Sequence, residues 1–388
     1  MAKIPRVILL IETSCAYGRR LLRGIGKYSR INGPWAFYRA APFYRERASR
    51  EKILSHLKDW GADGLIIREP KQNKEIIQMG LPTIISPKID DKIPGVPMIY
   101  TDCEGAGKFA ATHLLERGFT KFAYCGFDEM PWSRDRGASF ARHIKEAGYK
   151  THFYRRPRSK ALRSWENEQG RVAEWLKSLP RPIGLMACND ECGQNVIEAC
   201  KLAGFKVPDE IAVIGVDNDE LVCDLSDPPL SSVALNTERA GYEAAELLAR
   251  LMHGEKMRDQ VIIDQTSHLV TRQSTDILSI PDQDVTRAVN YIRRHARQSV
   301  HVSDVVAATT TSRRGLQQRF RQILGRSVHD EIRRVRVQQV IQMLVETNLS
   351  ISQIARMLGY TGIEHISRYF RQEMSMSPLT YRKKFGGK

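Results

Sequence analysis

The first 276 residues alternate short apolar runs with segments whose apolar residues recur at helical spacing. The strand-like runs lie at residues 7–11, 64–67, 83–85, 122–125, 185–188 and 212–216. The helical segments lie at residues 19–30, 48–60, 105–117, 136–147, 166–178 and 193–203. Continuous apolar strands between amphipathic helices indicate parallel β-sheets that helices cover on both faces. The pattern therefore predicts a doubly wound α/β fold, with too many units for one sheet of ordinary size.

We expect these units to form two lobes with a cleft between them. One lobe would comprise residues 1–118 plus 237–256, and the other residues 119–236 plus 257–276, so that the chain crosses near residues 118, 237 and 257. Residues 277–283, which include Pro281 and lie between acidic residues, are typical of a linker. From residue 284 to residue 388 the apolar spacing is helical throughout, which predicts a separate all-α domain.

The last hundred residues contain a near-repeat. The segment Leu-Gln-Gln-Arg-Phe-Arg-Gln at 316–322 is echoed 50 residues later by Ile-Ser-Arg-Tyr-Phe-Arg-Gln at 366–372. Ser327 and Ser377 keep the same offset. Two similar helical segments, each with a basic second helix, predict two helix-turn-helix units on one chain.

Each unit has one apolar and one polar face on its second helix. In the first, residues 312–324, we expect Leu316, Phe320 and Ile323 to face inward. The outward residues would then be Arg313, Arg314, Gln317, Gln318 and Arg321. In the second, residues 362–374, Ile366 and Phe370 would face inward, and the candidate DNA contacts are Ile363, Glu364, Ser367, Arg368 and Arg371.

Arg and Gln side chains make bidentate hydrogen bonds to base edges, and recognition helices use their N-terminal halves against bases. The earlier residues of each helix are therefore the predicted base readers, while Arg321 and Arg371 are the predicted phosphate contacts. The alternative is that these exposed side chains only solvate a helix face.

The charge distribution strengthens the nucleic-acid prediction. The whole chain carries a net charge of +16, and residues 281–388 alone carry +11, with 19 Lys and Arg against 8 Asp and Glu. A basic excess confined to one domain indicates a polyanionic partner, here double-stranded DNA.

Composition also bounds the compartment and the chemistry. Seven scattered cysteines form no CxxC pair and no metal-ligand cluster, which is typical of a reducing cytoplasm and predicts neither a metal nor another cofactor. No apolar stretch approaches the roughly 20 residues of a membrane span.

Three polar segments in the first 276 residues are candidates for a small polar ligand. They are Ser133-Arg134-Asp135-Arg136, Cys188-Asn189-Asp190, and Gly215-Val216-Asp217-Asn218-Asp219. Polar residues at strand ends face the ligand crevice of a doubly wound sheet, and Arg, Asp and Asn together match the donors and acceptors of vicinal hydroxyls. Tyr17, Trp132 and Trp165 are candidate aromatic covers for a sugar ring.

Each segment also has an ordinary structural interpretation. Asn189 and Asp190 would serve equally well as a helix cap, and Asp217 with Asn218 as turn residues. Arg134 or Arg136 would serve as a partner in a surface ion pair.

The basic domain resembles the double helix-turn-helix domain of the AraC/XylS family over residues 283–388. The resemblance rests on Leu316, Phe320 and Gly325, then Arg336-Val337, Met343-Leu344, the segment 350–355, Gly359-Tyr360, Phe370-Arg371, Ser377-Pro378 and Tyr381-Arg382. It implies that a central helix holds both recognition helices in successive major-groove turns. Ile366 stands where that family usually has Phe. Glu364 at the start of the second recognition helix would repel phosphate, so we expect the second unit to read DNA more weakly or differently.

The first 276 residues resemble the sugar-sensing domain of the LacI/GalR class, which has the periplasmic-binding-protein fold. The resemblance rests on Thr101-Asp102, His113-Leu114-Leu115, Gly118, Asn189-Asp190, Gly215-Val216-Asp217, Pro229-Leu230 and Ser232-Val233. It implies that Arg136, Asn189 and Asp217 contact a sugar. No N-terminal DNA-binding headpiece of that class is recognisable, so DNA binding is expected at the C-terminal end.

A sensor followed by a double helix-turn-helix resembles a family of bacterial activators that respond to xylose-like pentoses. That resemblance implies a cytoplasmic, homodimeric regulator that contacts RNA polymerase, with no catalytic residues. Two other classes stay open at this point: a doubly wound sugar- or nucleotide-modifying enzyme with a DNA-binding tail, and a nucleoid-type DNA binder with an inert sensor.

Overall fold

The computed structural model describes residues 4–39, 59–68, 74–87, 93–156, 165–257, 259–277, 280 and 282–385 of the 388-residue chain. The predicted helix at residues 48–60 lies outside these residues, apart from its last two positions.

Twelve strands in the described ranges form two six-stranded sheets. The strands are β1 (Arg6–Leu10), β2 (Ala36–Tyr38), β3 (Gly64–Ile67), β4 (Thr83–Ile85), β5 (Met98–Thr101), β6 (Phe122–Cys125), β7 (Thr151–Phe153), β8 (Ile183–Ala187), β9 (Ile211–Val216), β10 (Ser231–Leu235), β11 (Val261–Asp264) and β12 (Thr266–Val270). The sheet orders are β11-β5-β4-β3-β1-β2 and β12-β10-β9-β8-β6-β7. Neighbouring strands are parallel except β10 and β12, which are antiparallel.

All six predicted strands form, with ends that differ from the prediction by at most two residues. They are fully buried apart from the two ends of β1, as continuous apolar runs require. The sequence pattern missed the other six strands. Two of these, β2 and β7, are three-residue edge strands, and the edge strand β11 alternates exposed with buried residues.

Helices cover both sheets and build the C-terminal domain. They are α1 (Ala16–Asn32), α2 (Lys74–Ile77), α3 (Cys103–Leu115), α4 (Pro131–Glu146), α5 (Trp165–Lys177), α6 (Asp190–Ala203), α7 (Glu220–Leu225), α8 (Thr237–Met252), α9 (Gln283–Arg294), α10 (Val302–Ala307), α11 (Arg313–Leu324), α12 (Val328–Glu346), α13 (Ile351–Met357), α14 (Ile363–Met374) and α15 (Pro378–Phe385). This arrangement confirms the predicted class, a two-lobed α/β sensor followed by an all-α domain with two helix-turn-helix units.

Two of the three crossings between the lobes lie at different residues from those expected. Helix α3 belongs to the second lobe, because Ala106, Ala110 and Leu114 pack into that lobe's core. Strand β11 belongs to the first lobe, because it pairs with β5. The crossings therefore lie at Asp102, Asn236 and Gln265, so the crossing expected near residue 237 agrees to within one residue, whereas those expected near residues 118 and 257 were misplaced.

The three crossings are hydrogen-bonded to one another and form the hinge. The backbone amide of Asp102 donates to the Asp264 carbonyl at 3.0 Å, and the amide of Asn236 donates to the Gln265 carbonyl at 2.8 Å. The Thr237 hydroxyl donates to Asp264 Oδ2 at 2.8 Å. Asp264 is fully buried, and its Oδ1 has no hydrogen-bond partner among the described residues. Burial raises the pKa of this carboxyl to about 7.

The C-terminal domain has two small cores on one shared helix. The N-terminal half of α12 contributes Val328, Ile332 and Val335 to the first core. Its C-terminal half contributes residues such as Val340 and Leu344 to the second. The central helix thus holds the two units in a fixed relation.

The second helix of each helix-turn-helix unit buries the apolar face that the sequence predicted, with one exception. Leu316, Phe320, Ile366 and Phe370 are fully buried. Ile323 was predicted to face inward, but it is 39% exposed, because the helix ends one residue later and Leu324 packs against the core in its place.

The predicted linker partly belongs to the C-terminal domain. Ile280 is buried in the first core, and Asp282 caps α9 by accepting from the amides of Asp284 and Val285 at 2.9 and 3.1 Å.

The last helix of the C-terminal domain docks beside the hinge. The Tyr381 hydroxyl donates to the Ser267 carbonyl at 2.5 Å. Asn236 donates to the Lys384 carbonyl at 3.3 Å, and Arg239 donates to the same carbonyl at 3.0 Å. Helix α15 therefore contacts two of the three crossing segments.

Candidate ligand cavity and nucleic-acid interface

A cavity of about 390 Å³ lies between the two lobes, at the carboxyl ends of the strands. It is lined by Glu12, Ser14, Cys15, Tyr17, Arg68, Pro87, Ile99, Tyr100, Thr101, Cys103, Phe127, Met130, Pro131, Trp132, Asp135, Arg136, Asn189, Glu191 and Asp217. Its position is the crevice in which doubly wound proteins bind ligands, and its volume suits a small molecule.

The fold brings five of the predicted ligand residues together at this cavity, namely Tyr17, Trp132, Arg136, Asn189 and Asp217. Arg134 lies outside it. Its side chain is exposed and donates to the Asp128 carbonyl at 3.3 Å. Arg134 and Arg136 are two positions apart on the same helix and therefore lie on opposite sides of it, so they cannot both face one cavity. The side chain of Trp165 lies outside the described residues.

Arg136 is the most constrained side chain of the cavity. It is 3% exposed, its Nη1 donates to the Cys188 carbonyl at 2.6 Å, and its Nη2 donates to Asp217 Oδ1 at 3.0 Å. Its guanidinium lies 5.0 Å from the centre of the Trp132 ring, one helical turn earlier. Although burial disfavours the charged form, Asp217 raises the pKa of Arg136 above its usual value. Nε is buried without a hydrogen-bond partner among the described residues.

Asn189 caps a helix and also lines the cavity. Its Oδ1 caps α6 by accepting from the Cys192 amide at 3.0 Å, and its Nδ2 donates to Glu191 Oε2 at 2.5 Å. The same side chain lines the cavity. The cap therefore fixes the orientation in which Asn189 faces a ligand.

The loop after β9 joins the lobes. Asp217 and Asn218 adopt left-handed backbone conformations, with φ of 101° and 48°. Arg20 donates to both of their carbonyls, at 2.8 and 2.6 Å, and Arg19 donates to both carboxylate oxygens of Asp219 at 2.8 and 2.7 Å. Because Arg19 and Arg20 lie on α1 in the first lobe, these contacts hold the lobes together.

Asp190 holds this loop in place through buried hydrogen bonds. It is fully buried and accepts from the Asp219 amide at 2.6 Å and the Ser232 hydroxyl at 2.5 Å. Burial raises its pKa well above the usual value. Asp190 is absent from the cavity lining, so it positions the loop and does not face the ligand space.

Sequence reasoning missed several polar residues of the first lobe. Glu12 and Arg68 line the cavity, with Arg68 Nε 3.2 Å from Glu12 Oε1 and its guanidinium 4.2 Å from the centre of the Tyr17 ring. Tyr100 and Thr101 of the first lobe and Glu191 of the second were also missed, whereas Asp135 belongs to the predicted segment 133–136. Arg68 directly follows β3, so the strand-end rule applied to the first lobe would have found it.

The cavity can bind a polar, uncharged molecule. Carboxylates, guanidinium groups and hydroxyls offer acceptors and donors, while Tyr17 and Trp132 offer ring faces. Among the described residues, no group of His, Cys, Asp or Glu side chains could hold a metal ion. The seven cysteines are free thiols, and burial raises the pKa of Cys103 to about 11.

The first recognition helix presents a continuous polar surface. Arg313, Arg314, Gln317, Gln318, Arg321 and Gln322 line one shallow groove. The Ser312 hydroxyl caps the helix by accepting from the Gly315 amide at 3.2 Å. Gln322 is the one member of this set that was not predicted.

The second recognition helix is more mixed. Glu364, Arg368 and Arg371 are exposed, Ser367 is half-buried, and Ile363 is 50% exposed. This surface combines a carboxylate, an apolar side chain and two guanidinium groups. It differs in charge from the first helix, as the sequence predicted.

No helix in the described part of the chain is long and apolar enough to cross a membrane.

Known proteins that resemble this chain contain both of its domains. Residues 111–275 match a periplasmic-binding-protein-like domain family, and residues 305–384 match a helix-turn-helix domain family. The xylose operon regulatory protein of Escherichia coli strain K12 is 32% identical over 98% of this chain and 97% of its own. The corresponding protein of Haemophilus influenzae is 30% identical over 97% and 98%.

Solved structures agree with this relationship. A xylose-binding transcription activator matches 100% of both chains at 29% identity, with a TM-score of 0.61. A cellobiose complex of a transcriptional regulator covers 70% of this chain at 20% identity, with a TM-score of 0.56, and shows the sensor fold alone. These relatives are regulators, so the enzyme alternative has no support. The chain belongs to the family of xylose operon regulatory proteins, and it is a sugar-responsive, DNA-binding transcription regulator.

Proposed function

We propose that the chain is a homodimeric transcription activator whose effector is a xylose-like pentose bound between the two lobes. The proposed sugar contacts are Tyr17, Trp132, Arg136, Asn189 and Asp217. The proposed DNA contacts are Arg313, Arg314, Gln317, Gln318, Arg321, Ile363, Glu364, Ser367, Arg368 and Arg371.

The main support for the sugar site is the guanidinium of Arg136, which has a donor without a hydrogen-bond partner. Two of its nitrogens are held by Cys188 and Asp217, while Nε is buried without a partner among the described residues. A buried donor without an acceptor is costly, and a ligand hydroxyl would satisfy it. Asp217 uses Oδ1 for Arg136, so its Oδ2 is placed to accept from a second hydroxyl.

A pentose suits both the size and the polarity of the cavity. A space of about 390 Å³ is small for a disaccharide and sufficient for one sugar ring with bound water. The Escherichia coli and Haemophilus influenzae relatives are named for the xylose operon, which favours xylose among the pentoses.

We propose that the sugar signal reaches DNA through the hinge. Closure of the lobes must change the backbone conformation at the crossings Asn236 and Gln265. Helix α15 is hydrogen-bonded to Asn236 through the Lys384 carbonyl, and to Ser267, two residues after Gln265, through the Tyr381 hydroxyl. A sugar that binds the closed state more tightly would thus shift the position of the whole C-terminal domain relative to the sensor.

The dimer and the polymerase contact rest on different arguments. Helix-turn-helix proteins commonly pair two copies on two half-sites, which multiplies DNA specificity. One solved relative is named a transcription activator, which supports activation, and contact with RNA polymerase is the further step that we propose.

A sugar panel tests the effector. Thermal unfolding of the full chain, followed by calorimetry, is measured with D-xylose, L-arabinose, D-ribose and D-glucose. D-xylose is expected to raise the melting temperature of the sensor, because a ligand that binds only the folded state stabilises it. Arg136→Ala should abolish the shift, while Arg134→Ala, on the same helix but outside the cavity, should keep it. A normal shift in Arg136→Ala would place the sugar elsewhere, and no shift with any sugar would favour a DNA binder with an inert sensor.

A tyrosine substitution tests the hinge route. Tyr381→Phe removes one hydroxyl and its hydrogen bond to Ser267. We expect unchanged xylose binding but a smaller xylose-dependent change in DNA affinity. Tyr360→Phe is the matched control, because the Tyr360 hydroxyl is buried in the same domain without a hydrogen-bond partner among the described residues. An unaltered xylose response in Tyr381→Phe would contradict this route.

A further inference from the structure

A second cavity, of about 880 Å³, lies between the sensor and the C-terminal domain. Its walls come from α3 and the end of β12 on one side, and from α9, α12 and α14 on the other. Its lining residues and those of the sugar cavity do not overlap. The cleft is therefore a separate space at the junction of the input and output domains.

The cleft gathers basic side chains from both domains. The sensor supplies Lys108 and Arg117, and the C-terminal domain supplies Arg293, Arg294 and Arg334. Three carboxylates also line it, namely Glu116, Asp276 and Glu373.

Two of these carboxylates are already engaged by other partners. Glu116 forms an ion pair with Arg334, and Glu373 forms one with Arg333. Asp276 Oδ1 lies 3.9 Å from Arg293 Nη1, too far for a hydrogen bond. Of the three lining carboxylates, Asp276 is therefore the one left for Arg293, at ion-pair distance and without a hydrogen bond.

Arg117 meets only neutral acceptors. It is 5% exposed, and its Nε donates to the Thr275 carbonyl at 2.6 Å. Its Nη1 donates to His113 Nδ1 at 3.0 Å, so that Nε2 of His113 carries the proton and donates to the Thr275 hydroxyl at 2.7 Å. Burial lowers the pKa of His113 well below its usual value, in agreement with a neutral ring.

Arg293 has an unsatisfied donor. Its Nη2 is buried without a hydrogen-bond partner among the described residues. Burial lowers the pKa of Arg293, and burial together with Arg293 lowers the pKa of Arg117 well below its usual value. Since arginine stays protonated in proteins, these directions mean that the nearby carboxylates do not fully offset the burial of the two guanidinium groups.

We propose that this cleft binds a small phosphate ester, with its phosphate at Arg293 and Arg117. A guanidinium group matches two phosphate oxygens with parallel hydrogen bonds. The cleft is much larger than a phosphate ion and lies within the range of organic ligand sites. Asn290, Gln338 and Gln339 line it as well, and their amides suit the hydroxyls of a polar ligand body.

The proposal goes beyond the pentose response, because it assigns a second effector class to a second site. A ligand held by residues of both domains favours the docked arrangement of sensor and DNA-binding domain by its differential affinity.

Calorimetry on the full chain at low ionic strength tests the site. The probes are glucose 6-phosphate and ribose 5-phosphate, with glucose, ribose, inorganic phosphate and citrate as comparison ligands. We expect the phosphate esters to bind more tightly than every comparison ligand. Arg293→Gln should weaken that binding at least tenfold, and Lys108→Gln should weaken it less.

Arg287→Gln is the matched control, since Arg287 lies on the same helix, is exposed and is not part of the cleft. It should bind the esters within twofold of the unaltered chain, and circular dichroism melting should show that all three variants fold. No binding of either ester, equal binding of citrate or inorganic phosphate, or an equal loss in Arg287→Gln would each overturn the proposal. None of these results depends on whether the sensor binds xylose.

Discussion

The inter-lobe cavity, where we propose that the sugar binds, and the first recognition helix use the same side-chain types in opposite ways. In the cavity, Arg136 is buried and pairs with Asp217 at 3.0 Å, and the lining contains four carboxylates against two guanidinium groups. On the recognition helix, Arg313, Arg314 and Arg321 are exposed, and no carboxylate lines their groove. In the cavity each guanidinium is paired with a carboxylate, Arg136 with Asp217 and Arg68 with Glu12, whereas on the recognition helix positive charge is left in excess for a polyanionic partner.

This difference separates what each region recognises. A buried ion pair keeps its geometry and offers its remaining donors and acceptors to hydroxyl groups. Exposed cations attract phosphates at long range and release counterions when they bind. The two functions should therefore respond differently to salt, substitution and pH.

Salt should produce the largest difference. If the protein contacts at least six phosphates, its DNA affinity should fall about a thousandfold or more between 50 and 200 mM salt. Xylose affinity should change less than about twofold over the same range, because the sugar carries no charge. Fluorescence anisotropy and calorimetry on one preparation measure both. A steep salt dependence of sugar binding would contradict the proposal that the cavity binds an uncharged sugar.

The second-largest difference between the two regions should come from breaking the buried ion pair of Arg136 and Asp217. Asp217→Ala leaves Arg136 buried without its carboxylate, which should cost roughly 2–5 kcal/mol of sugar binding. Basal DNA affinity should stay within about twofold, since the recognition helices are untouched. Asp217→Asn retains an acceptor and should lose less sugar affinity than Asp217→Ala. Calorimetry compares the two variants, and equal losses would show that the position does not depend on charge or hydrogen bonding.

The base reader and the phosphate contact should differ within the first helix. Gln317→Ala should lose roughly 1–3 kcal/mol on the preferred DNA sequence and much less on random DNA. Arg321→Ala should weaken all sequences alike and lower the salt slope by about 1. Binding titrations on both DNAs at several salt concentrations distinguish the two. Equal losses on both DNAs for Gln317→Ala would contradict its role as a base reader.

The hinge carboxylate should make the stability of the sensor fall as the pH rises towards 7. Asp264 has a pKa of about 7 in the folded protein, against 3.8 for an ordinary Asp, so the folded state binds its proton more tightly. Stability should therefore fall as pH rises from about 4 to 7, by at most about 1.4 kcal/mol per pH unit from this group, and level off above pH 7.

Asp264→Asn should remove that slope and be more stable than the unaltered chain at pH 8. The fully buried Asp190 contributes a slope of the same sign, so the difference between the two proteins is the quantity to measure. Asp227→Asn, at a side chain that is 88% exposed, should leave the slope unchanged. Urea unfolding at pH 5 to 8 tests this, and an unaltered slope in Asp264→Asn would contradict the assignment.

The smallest expected effect concerns the second recognition helix. Glu364→Gln removes an exposed carboxylate that repels phosphate, so all DNA sequences should bind slightly more tightly, by under about 1 kcal/mol. A selective loss on the preferred sequence would instead identify Glu364 as a base reader that accepts from cytosine. Competition binding with two DNA pools tells the results apart.

Sequence reasoning succeeded where periodicity controls the structure. Buried strands such as β6 and β8 show continuous apolar runs, and Leu316 and Phe320 show the spacing of a buried helix face. The strand-end rule also identified Asn189 and Asp217 as candidates for the cavity.

It failed where a contact depends on distant parts of the chain. The apolar face of α3 does not reveal which lobe it packs against, so the first crossing was misplaced. Asp264 has no local signal, because its burial comes from the convergence of three crossings. Arg134 was included because the segment 133–136 was taken as a unit, although helical geometry separates Arg134 from Arg136.

The central claim is that a sugar in the inter-lobe cavity controls DNA binding by the C-terminal domain. The most direct measurement is the affinity of the full chain for DNA that it selects from a random pool, with and without saturating D-xylose. We predict that xylose changes this affinity by roughly 5- to 150-fold in the unaltered chain and has no effect in Arg136→Ala. An affinity that xylose leaves unchanged in the unaltered chain, despite measurable xylose binding, would contradict the account.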